Sequence, residues 1–194
     1  MKIDDPGRFF LYIHSPIFGS TAVLWSMFRG EPAIFRVLLS GQGITAEAYI
    51  SEYFHDCSPG TCRVIDSIAG DIEAFLNGAD ISFSLSSVRM DLCSEFQQKV
   101  LVTEHSVLRG HVTTYQRIAE RLGSPGNSRA VGNALARNPF PIIIPCHRTI
   151  RSDGTPGGYQ GGTNMKRRLL SMEGIHFDRK NCLVNRIYEP GELL

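Results

Sequence analysis

In the run NPFPIIIPCHRTI, residues 138–150, a cysteine and a histidine stand side by side behind a proline and three isoleucines. Cys146 is the candidate nucleophile, because His147 and Arg148 follow at once and both favour a thiolate. A free thiol titrates at about 8.5 and burial raises that value, so a buried cysteine needs a base to take its proton. The base in turn needs an orienting group. Neighbouring side chains in a strand point to opposite faces, so His147 reaches the sulfur only where the backbone turns, or through a water. Glu173 closes the stretch NMKRRLLSMEG and is the candidate to orient the histidine. The helix dipole opposes a carboxylate at a helix C-terminus, so its position calls for a local reason. IIIPC also fits a plain core strand, since cysteine is among the most buried residues. Cys57, Cys62, Cys93 and Cys182 take that plain role.

The elements around the cysteine must fix it and admit a ligand. RSDGTPGGYQGGTN, residues 151–164, carries five glycines and a proline. Such a loop is too flexible for a core and lets a ligand approach the backbone. The helix expected after it puts Met165, Leu169, Leu170 and Met172 on one apolar side. Upstream, SEFQQKVLVTEHSVL shows Phe96, Val100, Leu101 and Val107 as an apolar face. Two short helices follow. The first starts at Thr113 or Thr114 and ends at Gly123; the second starts behind Asn127 or Ser128 and runs to Arg137, where Asn138-Pro139 stops it. The pair fits a helix-turn-helix, whose second helix meets DNA, and equally an ordinary helical hairpin. Ala130, Gly132, Ala134 and Ala136 make that second helix small-sided, suited to close approach by another surface. Arg129 puts a cation in its first turn against the dipole, which a phosphate or a base stack would explain.

The first segment reads as α/β. FFLYIHSP and STAVLWSMF form an expected hairpin, AIFRVLLS a third strand, TAEAYISEYF a helix and CSPGTC a turn. RVIDSIAGDIEAFLNG has Val64, Ile65, Ile68, Ile72, Phe75 and Leu76 on one stripe, with Gly78 as its cap, and ISFSLSSV alternates like a half-buried strand. A boundary near residues 88–95 coincides with a change of charge. The net is −5 over residues 1–94, +6 over 95–174 and 0 over 175–194. A basic segment of this kind suits a polyanion.

The 194 residues suffice for one or two domains with a real core, and 42% hydrophobic with 20% charged residues is ordinary for a globular protein. No apolar run is long enough to span a bilayer. MKIDDPGRFF carries acids where a secretory signal carries basic residues, so a cytoplasmic location is expected, or a nuclear one in a eukaryote. Five cysteines without framework spacing argue against disulfides. His55, Cys57 and Cys62 match no standard zinc pattern, and no metal is expected.

NPFPIIIPCHRTI, SDGTPGGYQGG and KRRLLSMEG together resemble the O6-alkylguanine-DNA alkyltransferase family, also called methylated-DNA–protein-cysteine methyltransferases. FQQKVL, TTYQRIAERLG and SRAVGNALARNP extend the likeness over roughly residues 95–174. The resemblance implies an α+β chain: a ribonuclease H-like α/β domain over residues 1–90, a mainly helical winged helix-turn-helix domain over 91–175, and a tail over 176–194. It implies a monomeric DNA repair protein that flips O6-alkylguanine out of duplex DNA. The alkyl (methyl) group moves irreversibly to Cys146, once per molecule, with no metal and no cofactor. By the same resemblance His147 takes the thiol proton through a water and Glu173 orients it. Tyr115 offers its hydroxyl proton toward the base, and Asn138 links the recognition helix to the active-site loop. Arg129 fills the gap left by the flipped base, with Ala130, Gly132, Ala134 and Tyr115 against the minor groove. Pro141, Pro145, Arg148, Tyr159, Gln160 and Gly161 shape the substrate pocket.

Three other readings compete. Alkyltransferase-like proteins bind damage without catalysis, but they carry tryptophan where this chain has Cys146. A cysteine hydrolase usually draws its histidine from far along the chain, not from the adjacent residue. A helix-turn-helix regulator accounts for Arg129 and the basic segment but not for PCHR. A hydrolase turns over, a regulator prefers one DNA sequence, and a suicide transferase is consumed one for one by the lesion.

Overall fold

The computed structural model describes residues 7–41, 43–180 and 182–184. They form two compact units that divide between Leu92 and Cys93. In the first unit, β1 (Arg8–Ser15), β2 (Gly19–Phe28) and β3 (Glu31–Leu39) make an antiparallel meander. Its second turn is Arg29-Gly30 with φ of +53° and +83°, the two-residue geometry whose twist matches the flanking strands. The expected CSPGTC turn opens instead with a short strand, β4 (Cys57–Pro59), parallel to β1, giving the sheet order β3-β2-β1-β4. Two contacts draw it into the sheet. Cys57 is buried in the core, and Trp25 Nε1 donates to the Gly60 carbonyl at 3.0 Å.

Alternation along the strands buries both faces. Ala22, Leu24, Phe35 and Leu38 pack with Ala46 and Ile50 of α1 (Ala46–Tyr53). Val23, Trp25 and Ile13 fall on the other face, and α2 (Arg63–Leu76) packs along β1. The stripe of α2 is Ile65, Ala69, Ile72, Phe75 and Leu76; Val64, expected on it, is exposed and Ile68 half-buried. The stripe is centred one position further round, and Ala69 supplies the close contact. Gly78, at φ +100°, ends α2: its N–H reaches the Phe75 carbonyl and that of Ala79 the Ala74 carbonyl. The strand expected at ISFSLSSV does not form. Its burial alternates, but only Val88 bridges to Ile34, and Ser84 Oγ accepts the Ser86 N–H, diverting the backbone from a ladder.

The second unit contains α3 (Glu95–His105), β5 (Thr113–Thr114), α4 (Tyr115–Arg121), α5 (Ser128–Ala136), β6 (Thr149–Ile150) and α6 (Gly162–Met172). Ser94 caps α3 and Thr114 caps α4 through their hydroxyls. Helices α3, α4 and α5 pack on one another. Val100, Leu101 and Val107 are buried as expected, whereas Phe96 is exposed. β5 and β6 pair in parallel, Thr113 with Thr149 and Thr114 with Ile150. This two-residue ladder ties the start of α4 to the chain just past Cys146. Val112, Ile150, Leu170 and Ile175 form the core beside it, with Phe177 and Leu183 packed against them.

Candidate active site

The three isoleucines are not a strand. After α5 the chain reverses between Phe140 and Ile144, whose N–H bonds the Phe140 carbonyl at 2.8 Å. Ile142 sits at φ +74°, a strained conformation for a β-branched residue, and is fully buried. Cys146–Arg148 then form one turn of 3-10 helix. Asn138 organises this reversal. Its Oδ1 accepts the Phe140 N–H at 2.9 Å, and its Nδ2 reaches the Ile144 carbonyl at 3.2 Å and Cys146 Sγ at 3.3 Å. Burial pushes the Cys146 thiol up to about 12, with the Asn138 hydrogen bond opposing it.

The backbone turn that His147 required is present, and the local reason for Glu173 is visible. Glu173 Oε1 accepts from His147 Nε2 at 2.9 Å and from an Arg148 terminal nitrogen at 2.8 Å, while Oε2 accepts from Arg148 Nε at 2.9 Å. Desolvation works against the Glu173 carboxylate, but the His147 and Arg148 contacts outweigh it and bring its pKa down to about 2. Burial pulls the His147 pKa down, with Glu173 opposing. The imidazole is thus neutral at pH 7. An ionised carboxylate only accepts, so His147 carries its proton on Nε2 and Nδ1 is the basic nitrogen. Arg148 also donates to the Val107 carbonyl at 2.6 Å. These contacts brace the turn.

The glycine-rich loop returns over this turn. Gly157 lies at φ +72°, and a Cβ there would stand 3.0 Å from the Tyr115 hydroxyl, so only glycine brings the loop this close. Burial lifts the Tyr115 phenol to about 12, so it keeps its proton. Tyr159 is buried with its ring edge-on to His147, centroids 6.2 Å apart. A Cβ on Gly161 would overlap Met165 Sδ at 2.1 Å, so the loop packs closely on the methionine of α6. Pro141 and Pro145 are buried in the reversal. Gln160 is exposed, between the buried Tyr159 and Gly161.

On α5, Arg129 is exposed in the first turn and Ala130 is half-buried. Gly132 lies beside the Tyr115 ring, where a Cβ would be 3.7 Å away. Ala134 differs from expectation: it is on the inward face with Val131 and Leu135, and its carbonyl accepts Gln97 Nε2 at 3.1 Å. Its small side chain serves helix packing, one of the two roles such residues can take.

Sequence reasoning passed over three buried polar residues beside the cysteine turn. Glu104 on α3 and Lys166 on α6 have no solvent exposure. Thr149 links them: its hydroxyl donates to Glu104 Oε2, and its carbonyl accepts from Lys166 Nζ. The signal was available, since Glu104 follows Val100 and Leu101 on the buried stripe of α3, and Lys166 precedes Leu169 and Leu170 on that of α6. Among the described residues, no group of three or more His, Cys, Asp or Glu is placed to hold a metal. No helix among them is long and apolar enough to cross a membrane.

Comparison with known proteins bears on the same region. The family model described as 6-O-methylguanine DNA methyltransferase, DNA binding domain, matches residues 95–175. A methylated-DNA–protein-cysteine methyltransferase of Methanothermobacter thermautotrophicus is 42% identical over 145 residues, covering 73% of this chain and 80% of that protein. A Mycobacterium leprae protein of the same name is 43% identical over 103 residues, covering 53% of this chain and 61% of its own length. Among solved structures, Mycobacterium tuberculosis OGT in complex with DNA superposes with a TM-score of 0.67 at 30% identity, over 85% of this chain and 92% of that one. The O6-methylguanine-DNA methyltransferase of Pyrococcus kodakaraensis shares the fold, with a TM-score of 0.63 at 23% identity over 86% and 99% of the two chains. With a buried Cys-His-Glu array in the matched region and a relative aligned over four fifths of its length, the chain belongs to the methylated-DNA–protein-cysteine methyltransferase family.

Proposed function

We propose that Cys146 is the acceptor in this methyltransferase: it takes the alkyl group from O6-alkylguanine in duplex DNA, irreversibly and once per molecule. The observation that carries this reading is the buried array itself, Asn138 on the Cys146 sulfur and Glu173 on His147. With the thiol pushed up to about 12, the thiolate is scarce at pH 7. Spontaneous ionisation is too rare, so the proton leaves as the sulfur attacks. His147, neutral and oriented by Glu173, accepts it at Nδ1 through a water. The S–C bond forms as the C–O6 bond breaks, in line. Tyr115, still protonated, donates toward the departing base and limits the charge on the leaving oxygen. The product is a thioether with no group nearby able to cleave it, so the protein stops after one event.

The sulfur lies at the floor of a buried turn, and a stacked base cannot reach it. The nucleotide is therefore flipped out of the duplex into the site. Arg129, exposed on the first turn of α5, occupies the space it leaves, and the half-buried Ala130 and Gly132 let α5 approach the minor groove. Pro141, Pro145 and Tyr159 bound the pocket for the alkyl group. One chain carries every group named, so a monomer suffices.

The test is intact mass after mixing with a duplex that holds one O6-methylguanine, followed by peptide mapping. One methyl in place of hydrogen, confined to the Cys146 peptide and saturating at one per protein, is expected. No gain with folded, reduced protein overturns the reading.

A further inference from the structure

The transfer chemistry above uses His147 and Glu173 and leaves a second buried carboxyl unused. Glu104 comes from α3, has no solvent exposure, and is touched at Oε2 by the Thr149 hydroxyl. Its Oε1 has no hydrogen-bond partner among the described residues. A carboxyl buried half-satisfied is costly, and a leucine would fill the space more cheaply. Thr149 lies three residues past Cys146, and its carbonyl takes Lys166 Nζ, which also reaches the Gly158 carbonyl at 3.3 Å beside Tyr159. Glu104, Thr149 and Lys166 therefore join α3, the strand leaving the cysteine turn, α6 and the glycine-rich loop in one buried network.

We propose that Glu104 is a positioning residue for the transfer, a buried carboxyl held by Thr149 in one network with Lys166 that sets the charge around Cys146 and so restrains its reactivity as pH rises. The inference rests on the reading that Cys146 is the acceptor. The groups facing Glu104 are Thr149 on β6, Lys166 on α6, Arg148 and Cys146 on the turn, and Tyr115 on α4. Burial lifts the Glu104 carboxyl to about 7, against the Thr149 hydrogen bond and the Lys166 and Arg148 charges. It thus changes charge near neutrality. Once ionised it disfavours a Cys146 thiolate, and this influence exceeds the opposite one from Lys166.

The experiment measures alkylation of Cys146 by iodoacetamide, resolved by peptide mapping, as a function of pH in the full chain and its variants. The wild type is expected to show a shoulder near the Glu104 titration, where the rate rises less steeply than thiol ionisation alone requires. E104Q keeps an acceptor for Thr149 but no charge. Its curve should match wild type below the shoulder and run roughly threefold faster above it, because readier ionisation outweighs the accompanying loss of nucleophilicity. E104L, which fills the space without a polar group, should lose the shoulder too. K166M should slow alkylation across the range, opposite in sign to E104Q. Loosening of the fold moves all variants the same way and leaves no pH signature. A shoulder that persists in E104Q and E104L, or same-signed changes in the Glu104 and Lys166 variants, overturns the proposal. Methyl transfer from O6-methylguanine duplex is read in parallel: if wild type transfers none, the function proposed above fails, while the alkylation curves still decide the role of Glu104.

Discussion

Asn138 Nδ2 lies 3.3 Å from Cys146 Sγ and 3.2 Å from the Ile144 carbonyl, so one amide holds both the nucleophile and the turn that presents it. The same side chain accepts the Phe140 N–H, so it reinforces the reversal around the strained Ile142 that the Ile144 N–H closes on the Phe140 carbonyl. N138A strands the Phe140 N–H in a buried place, while the Ile144 carbonyl keeps the Cys146 N–H. A loss of about 1–3 kcal/mol in stability is expected. Transfer should fall further than stability predicts, by about tenfold or more, because the thiol loses its donor and its position. Urea denaturation and single-turnover transfer on the same preparation separate the two effects.

E173Q removes the anion between His147 and Arg148 and leaves a buried guanidinium unbalanced. The expected cost is about 3–5 kcal/mol. The folded carboxyl titrates near 2 against 4.5 unperturbed, so its stabilisation is complete above pH 4.5 and fades as pH falls toward 2. The stability gap between wild type and E173Q should shrink over that window. A gap independent of pH would mean that Glu173 is not ionised in the fold.

Glu104 and Lys166 impose the opposite pH slopes. Glu104 binds its proton more tightly folded, about 7 against 4.5, so its contribution to stability falls as pH rises through that window. Lys166 titrates near 8 folded against 10.5, so folding binds fewer protons there and stability recovers as pH climbs from 8 to 10.5. Thermal melts of wild type and E104Q should diverge between pH 4.5 and 7, with the variant gaining relative to wild type. Parallel melting curves would refute this.

G157A tests the approach of the loop to Tyr115. The positive φ alone costs about 1 kcal/mol, and the added Cβ at 3.0 Å pushes on the Tyr115 hydroxyl. The loop should withdraw and transfer should slow, with recovery in the double variant G157A/Y115F only to the level of Y115F. A double-mutant cycle on transfer rates reads this coupling directly.

C146A should abolish transfer while binding to lesion-containing duplex persists, since phosphate contacts supply most affinity. R129A should slow repair in duplex DNA more than reaction with the free modified base. Equal losses on both substrates would count against a role for Arg129 in flipping.

Much of the site was legible in one dimension because its chemistry is local. PCHR supplies the thiol and its neighbours in four consecutive residues, and Pro139 and Gly123 mark the ends of α5 and α4 by backbone rules that act over a few residues. The oddly placed Glu173 could be flagged from the helix dipole, and its partners proved to be His147 and Arg148. The core stripe of α2 followed from periodicity to within one position. The alternation in ISFSLSSV was equally visible and misled, since period-two burial does not require a paired strand and only Val88 found a partner.

What the amino-acid order determined, then, is which groups can react and where the helices stop, because those properties depend on neighbours a few residues away. The three-dimensional fold alone decided which distant groups share one dielectric. Residues 104, 149 and 166 are far apart in the chain and meet only because α3, β6 and α6 converge. The three isoleucines became a reversal rather than a strand because Asn138 bonds three groups that only the folded turn brings within its reach. A pKa depends on exclusion of water and on charges through space, and so the thiol near 12, the carboxyl near 2 and the carboxyl near 7 belong to the tertiary structure and to no single segment of the sequence.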